Sequence, residues 1–310
     1  MISIFCPTEI KIPVKGYSGI EKIAYELFLA MKKMNADVIC LGNVDEETDD
    51  MKKLNYYTIF MGDKVIDFTH QKYYAPFFNK TNYMAIVFHT DNVSYVNDVY
   101  PTHAVRNAYA KISDGPVIYP GIDTSKYIYR ENKEDYLLFL GRLSMIKRPD
   151  IAIEVAEKLN TELVIAGHAG IFARYPSSEY VDKIIEKAKK SPKIRLISDP
   201  DDSLKAELLS RAKALIVPSD WSSINSFESF GIVAVEALLS GTPVLTSGDG
   251  GLKEIVNEKV GFICKTVDDY VKVYDRINEI DPKECRRHGL YFSSERYAKD
   301  LLKLWEINSQ

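Results

Sequence analysis

Short apolar runs of strand length alternate along this chain with segments whose apolar residues recur at helical spacing. In the first half, residues 2–6 read as a strand. Over 20–34 the residues Ile20, Ile23, Ala24, Leu27, Leu29, Ala30 and Met31 weight one side of an amphipathic helix. Strands follow at 37–41 and 85–89, then a short helix at 104–112 and a short strand at 116–119. The tract 45–82 has no clear period, but its rings (Tyr56, Tyr57, Phe60, Phe68, Tyr73, Tyr74, Phe77, Phe78) make it foldable. Pro120-Gly121 signals a turn, and the charged stretch after it suits a linker at about 120–134. Beyond it the alternation resumes. Strands fall at 136–140, 162–166, 193–197, 214–218 and 243–246, and helices at 149–159, 179–189, 203–211 and 232–239. The chain ends in a helix at 293–308.

Strand–helix alternation of this kind implies parallel sheets covered on both faces. The chain has 310 residues, enough for two such domains. The expected division is 1–121 together with 290–310, and 122–289. Ligands of open parallel sheets bind at the carboxyl edge, so a cleft between two such edges is expected.

Composition narrows the reading. Hydrophobic residues make up 46% and charged residues 27%, so cores can form and disorder is not expected. A net charge of −4 argues against a nucleic-acid partner bound through phosphate neutralisation. The 4 cysteines are scattered, without a C-x-x-C pair, which points to a reducing, cytoplasmic setting rather than a zinc site or disulfide frame. No run of about 18 apolar residues offers a membrane span.

The richest stretch is Ser226-Phe227-Glu228-Ser229-Phe230-Gly231-Ile232, which leads into the helix carrying Glu236. Backbone N–H groups at a helix start form an anion site. A diphosphate resting there would have Glu228 at one end and Glu236 at the other, and carboxylates accept hydrogen bonds from sugar hydroxyls. Such a site needs cations. In Leu140-Gly141-Arg142 the strand ends at Gly141 and Arg142 emerges just beyond it, at the carboxyl edge, and Lys147 follows just before the next helix. Arg supplies a bidentate fork for phosphate and Lys a point charge. Isolated, these residues would read as a helix cap, a solvated helix position and a basic loop; together they read as a nucleotide site. Asp199-Pro200-Asp201 mimics a D-x-D metal signature, but its place before a helix reads as turn and cap chemistry, with Asp202 or Ser203 at the N-cap.

These segments resemble glycosyltransferase family 4, retaining enzymes with the two-domain GT-B fold. The likeness rests on Gly141-Arg142-Leu143 with Lys147, on Glu228 and Glu236 around Phe230-Gly231, on Gly19-Ile20-Glu21-Lys22, Val164-Ile165-Ala166-Gly167, Tyr119-Pro120-Gly121-Ile122-Asp123 and Gly251-Leu252-Lys253-Glu254. It is strong over about 119–265 and patchier before. The resemblance implies transfer of a hexose from a UDP- or GDP-sugar to a hydroxyl of a glycan, lipid or small molecule, without metal or other cofactor. It implies that Arg142 and Lys147 bind the diphosphate, that Glu236 holds the ribose and that Glu228 holds the transferred sugar. Backbone at Phe230, Gly231 and Ile232 would meet the phosphates, with Ser229 also at the donor. Gly19 and Gly167 would lie beside the donor, backbone near Ile197 beside the base, and His89 would face the reacting sugar. Competing readings are a nucleotide-sugar binding protein without catalysis, and a phosphorylase or epimerase of the same fold. Lys72-Tyr73-Tyr74-Ala75-Pro76-Phe77-Phe78-Asn79-Lys80 mixes Lys with rings, which suits either a core-completing loop or peripheral contact with a membrane.

Overall fold

A computed structural model of the chain describes residues 1–16, 18–69, 74–88, 97–109, 114–168, 177–220 and 227–308. The chain divides into two compact units, residues 1–124 with 292–310 and residues 125–291.

In the first unit the elements run β1 (Ile2–Phe5), β2 (Lys11–Ile12), α1 (Ile20–Lys33), β3 (Val38–Val44), β4 (Met51–Lys53), β5 (Lys64–Asp67), β6 (Tyr83–Ile86), β7 (Asn97–Val99) and α2 (His103–Tyr109). The sheet order is β2-β3-β1-β5-β6-β7, with β4 also on β3, and the pairings are parallel. The tract 45–82, unassigned from its pattern, supplies β4 and β5. Two of its rings pack on Phe5, Tyr74 edge-on at 5.5 Å and Phe78 at 6.1 Å, and Phe78 also stacks on Tyr83 at 5.5 Å. The strand expected at 85–89 runs instead over Tyr83–Ile86. The one expected at 116–119 is a single bridge between Tyr100 and Val117. The final helix of the chain returns to this unit and packs on α1. Its Trp305 is buried beneath the Lys64 ammonium, 5.1 Å from the ring centre. Glu26 of α1, also buried, accepts the Asp123 N–H at 2.7 Å and pins the end of the first stretch of this unit.

The second unit runs β8 (Tyr136–Arg142), α3 (Pro149–Leu159), β9 (Glu162–His168), α4 (Ser178–Lys190), β10 (Ile194–Ser198), α5 (Asp202–Arg211), β11 (Ala214–Val217), α6 (Ile232–Leu239), β12 (Val244–Thr246), α7 (Leu252–Ile255), β13 (Gly261–Ile263), α8 (Val267–Val273) and α9 (Pro282–Leu290); the helix back in the first unit is α10 (Ser294–Asn308). All pairings are parallel, in the order β10-β9-β8-β11-β12-β13. Strands buried on both faces read as continuous apolar runs, which is why Leu137–Phe139, Leu163–Ala166 and Ala214–Val217 stood out. The chain steps outward from β8 to β10, then starts again at β11 and steps the other way. That reversal makes β8/β11 the topological switch point, where open α/β sheets bind ligands.

Two details differ from the pattern. β8 and β9 stay paired as far as Arg142↔His168, so Arg142 is the last residue of the strand rather than the first beyond it. The N-cap of α5 is Asp201, whose carboxylate accepts the Leu204 N–H at 2.7 Å, rather than Asp202 or Ser203.

Lys133, in the charged stretch, joins three groups. Its ammonium donates to the Ser210 and Ser240 carbonyls and to Thr242 Oγ1, each at 2.9 Å. Ser210 lies in the last turn of α5 and Ser240 caps α6, so one cation satisfies carbonyls at two helix ends. Lys133→Met keeps the stem but removes every donor. It is expected to lower stability by about 2–3 kcal/mol, the cost of unpaired buried acceptors, measured by urea unfolding followed by circular dichroism. An unchanged midpoint would show that these bonds are not structural.

Candidate functional site

Most of the residues singled out from the sequence lie at the carboxyl edge of this sheet, on both sides of the switch point. Arg142 closes β8, Gly167 precedes the last residue of β9, and Ile197 lies one residue before the end of β10. Across the reversal, residues 227–231 lead into α6. Lys147 Nζ is paired with Glu228 Oε2, and both side chains are largely buried. The pair joins groups 81 positions apart. The family resemblance implies that Lys147 binds the diphosphate and Glu228 a sugar; the structure joins them, so the cation also offsets the carboxylate's charge.

Glu228 is held at its backbone as well. Its N–H donates to Asp249 Oδ2 at 2.7 Å, and its carbonyl accepts the Gly251 N–H at 2.7 Å. Burial, with the Glu228 charge nearby, pushes the Asp249 carboxyl up from its ordinary range. Ser229, Phe230 and Gly231 are buried and Ile232 opens α6. Gly231 is in the left-handed region at φ 92°, and a Cβ there would come 2.5 Å from Leu252 Cδ2. Only glycine turns the chain into α6 at this point. Gly167 meets a different limit: a Cβ would overlap the Gly141 carbonyl oxygen, forcing apart the two strands just before Arg142.

Glu236 is buried, and its Oε1 accepts a hydrogen bond from the Tyr127 hydroxyl at 2.8 Å. It is therefore not the solvated helix position that spacing alone allows. Tyr127 was missed because it lies 109 positions away; nothing local marks it. At the strand ends opposite, His168 Nδ1 is hydrogen-bonded to Asp199 Oδ1. That engages the first carboxylate of the D-x-D look-alike, while the second caps α5.

In the first unit Gly19 is the N-cap of α1, and a Cβ there would meet nothing within 4 Å. Local packing does not require glycine at that position. His89 lies outside the described residues, as do Lys72, Tyr73 and Ser226. Among the described residues no three His, Cys, Asp or Glu side chains group as a metal site.

Chemically, the switch point offers a guanidinium, an ammonium held by a carboxylate, a second buried carboxylate held by a phenol, and a helix start. Groups of these kinds are chemically suited to a polyanion carrying hydroxyl groups. Residues 123–289 match the family model described as glycosyl transferases group 1, and the chain belongs to that family. It is 30% identical over 137 residues to an uncharacterized glycosyltransferase of Methanocaldococcus jannaschii, a match covering 43% of this chain and 32% of the relative. The chain thus matches only about a third of the length of its curated relatives. Among solved structures it is similar to AviGT4, a glycosyltransferase involved in avilamycin A biosynthesis, with a TM-score of 0.78, 21% identity, and 98% and 96% of the two chains covered. It is also similar to Anabaena Alr3699/HepE in complex with UDP and glucose, with a TM-score of 0.70, 12% identity, and 99% of each chain covered. These likenesses establish the fold, two parallel-sheet α/β domains of the GT-B kind.

Gly231→Ala tests the loop geometry. The strained φ and the contact with Leu252 are expected to cost about 1–3 kcal/mol of stability, read from the urea midpoint. Wild-type stability in that variant would mean the loop can re-form without its left-handed residue.

Proposed function

We propose that the chain transfers a hexose, with retention of anomeric configuration, from a uridine or guanosine diphosphate sugar to an acceptor hydroxyl. The reading rests on one juxtaposition: Arg142, the Lys147–Glu228 pair and the start of α6 at a single topological switch point. Arg142 and Lys147 stabilise negative charge as the bond from the anomeric carbon to the diphosphate oxygen breaks. The acceptor oxygen forms the new bond to that carbon, and its proton passes to a donor phosphate oxygen. Glu236 accepts from the ribose hydroxyls, with Tyr127 fixing its carboxylate. Glu228 accepts from the transferred sugar, and Lys147, paired with it, offsets its charge beside the phosphates. Resident metal is not part of this proposal, since the two cations supply the charge.

A thermal-shift screen over UDP-, GDP- and ADP-sugars identifies the donor, and release of nucleoside diphosphate separates an enzyme from a binding protein. With that donor, Arg142→Ala or Lys147→Ala is expected to lower turnover at least about a hundredfold, the scale of losing one transition-state charge donor. Glu236→Ala removes a contact made equally in the ground and transition states, so it should mainly raise the donor KM; Glu228→Ala should mainly lower kcat. Near-normal turnover in either cation variant, or the same change in both parameters for both glutamates, would refute these roles.

We also propose that the acceptor is a lipid or a lipid-borne glycan met at a membrane surface. Tyr57 is 88% and Phe77 49% exposed, and Tyr56 and Phe60 join them in one edge-to-face cluster. Lys52 and Lys53 precede these rings. Rings with nearby lysines favour a bilayer interface. Phe78, expected to share that surface, instead turns onto Phe5 and Tyr83. Among the described residues no helix is long and apolar enough to cross a membrane, so the contact proposed is peripheral. Flotation with anionic vesicles is expected for the native chain and strongly reduced for a folded Tyr57→Ser, Phe77→Ser variant. Equal flotation, or none by the native chain, would rule this surface out.

A further inference from the structure

The carboxyl ends of β11, β12 and β13 carry a second feature beside the switch point. A cavity of about 470 Å³ lies there, lined by Arg148, Asp220, Asp249, Lys253, Lys265 and Tyr270 among others. That volume is within the range of about 300–1,000 Å³ typical of small-molecule sites. Tyr270 is 2% exposed, and among the described residues its hydroxyl has no hydrogen-bond partner. Burial pushes its phenol well above the ordinary range, so it remains a neutral donor. A buried hydroxyl without a partner is costly and calls for an explanation.

The charges around it are unequal in availability. Arg148 is shared between Asp150 and Asp220, at 2.9 and 3.5 Å. The Asp249 carboxylate is engaged by the Glu228 N–H. Lys265 donates to the Ser247 carbonyl, and neither Lys265 nor Lys253 is ion-paired among the described residues. The lining thus holds two lysines without a carboxylate and a buried donor, while both of its carboxylates are already in use. Lysine ammonium groups bind phosphate as point charges.

We propose that this cavity binds the phosphate group of a small phosphorylated molecule, with Lys253 and Lys265 opposing its charge and the Tyr270 hydroxyl donating to it. The site adjoins the one assigned to the nucleotide, because Asp249 and Ser219 of its lining are hydrogen-bonded to Glu228, but it does not rest on that assignment. The structure also gives it a route to Glu228. Lys265 holds Ser247, the Ser247 hydroxyl accepts the Asp249 N–H at 3.3 Å, and Asp249 holds Glu228.

The test is calorimetric titration at fixed ionic strength with two probes, inorganic phosphate and glucose 6-phosphate. It uses the native chain, Arg142→Ala to remove the competing anion site, Lys253→Ala and Tyr270→Phe. Saturable binding of at least one probe is expected in the native chain and in Arg142→Ala. Affinity should fall at least about tenfold in Lys253→Ala, about 1.4 kcal/mol, and also fall in Tyr270→Phe. Lys253 is exposed, so its variant will fold even if Tyr270→Phe does not. Binding of glucose 6-phosphate alone would mean the remaining cavity is engaged as well. The proposal is overturned if neither probe binds the native chain, if Lys253→Ala binds as tightly as native, or if Arg142→Ala abolishes binding.

Discussion

The ion pair between Lys147 and Glu228 is the interaction on which the second unit's site depends. Lys147 leaves β8, on one side of the strand reversal, and Glu228 follows β11, on the other. Their bond therefore ties the two outward-stepping halves of the sheet at the point where they part. Each side chain is about one-sixth exposed or less, so neither charge is well solvated alone. Removing one partner of such a pair leaves a buried charge at a cost of about 3–5 kcal/mol, the upper end applying only where water is fully excluded. On the proposed reading the pair is also what permits a carboxylate beside a helix start that binds phosphate. Without a cation, Glu228 would repel the phosphate proposed for the start of α6.

Two glutamates of one motif are placed in contrasting surroundings. Glu228 faces an ammonium and has its backbone clamped by Asp249 and Gly251; Glu236 is buried and faces the Tyr127 phenol. The ammonium at Glu228 offsets its charge directly. A phenol at Glu236 fixes one oxygen in direction without cancelling the charge. Environments that differ in this way assign different work to chemically identical groups. The first suits a carboxylate beside a reacting centre, and the second suits a steady acceptor of neutral hydroxyl groups.

The unequal legibility of the sequence has physical causes. The strands of the second unit were readable because burial on both faces leaves unbroken apolar runs, as in Leu137–Phe139. Where each strand ends was less clear: Gly141 looks like a terminator, yet β8 continues through it because Gly167 lets the partner strand approach closely. β5 was invisible because Lys64-Val65-Ile66-Asp67 is short, has charged ends and sits among aromatic residues whose period matches neither helix nor strand. Arg142, Lys147, Glu228 and Glu236 were identifiable as residue types at suggestive places. What they touch was not, because the Lys147–Glu228 and Tyr127–Glu236 contacts span 81 and 109 positions. Long-range polar contacts leave no periodicity to detect.

The loop 247–251 shows why these contacts cannot be treated singly. Its Asp249 accepts one bond from Glu228 and its Gly251 donates another, while Ser247 is bonded to Ser219 and to Lys265. Glu228 therefore inherits its position from three strand ends at once: β8 through Lys147, β12 through Asp249, and β13 through Lys265 acting on Ser247. In a network of this kind the energies of single deletions do not add, because each partner is positioned by the others. A rigid Glu228 follows from that redundancy more than from any one bond. The same loop forms one wall of the neighbouring cavity, so a change in the cavity that moves Lys265 must either break the Ser247 bond or carry the loop, and Glu228, with it.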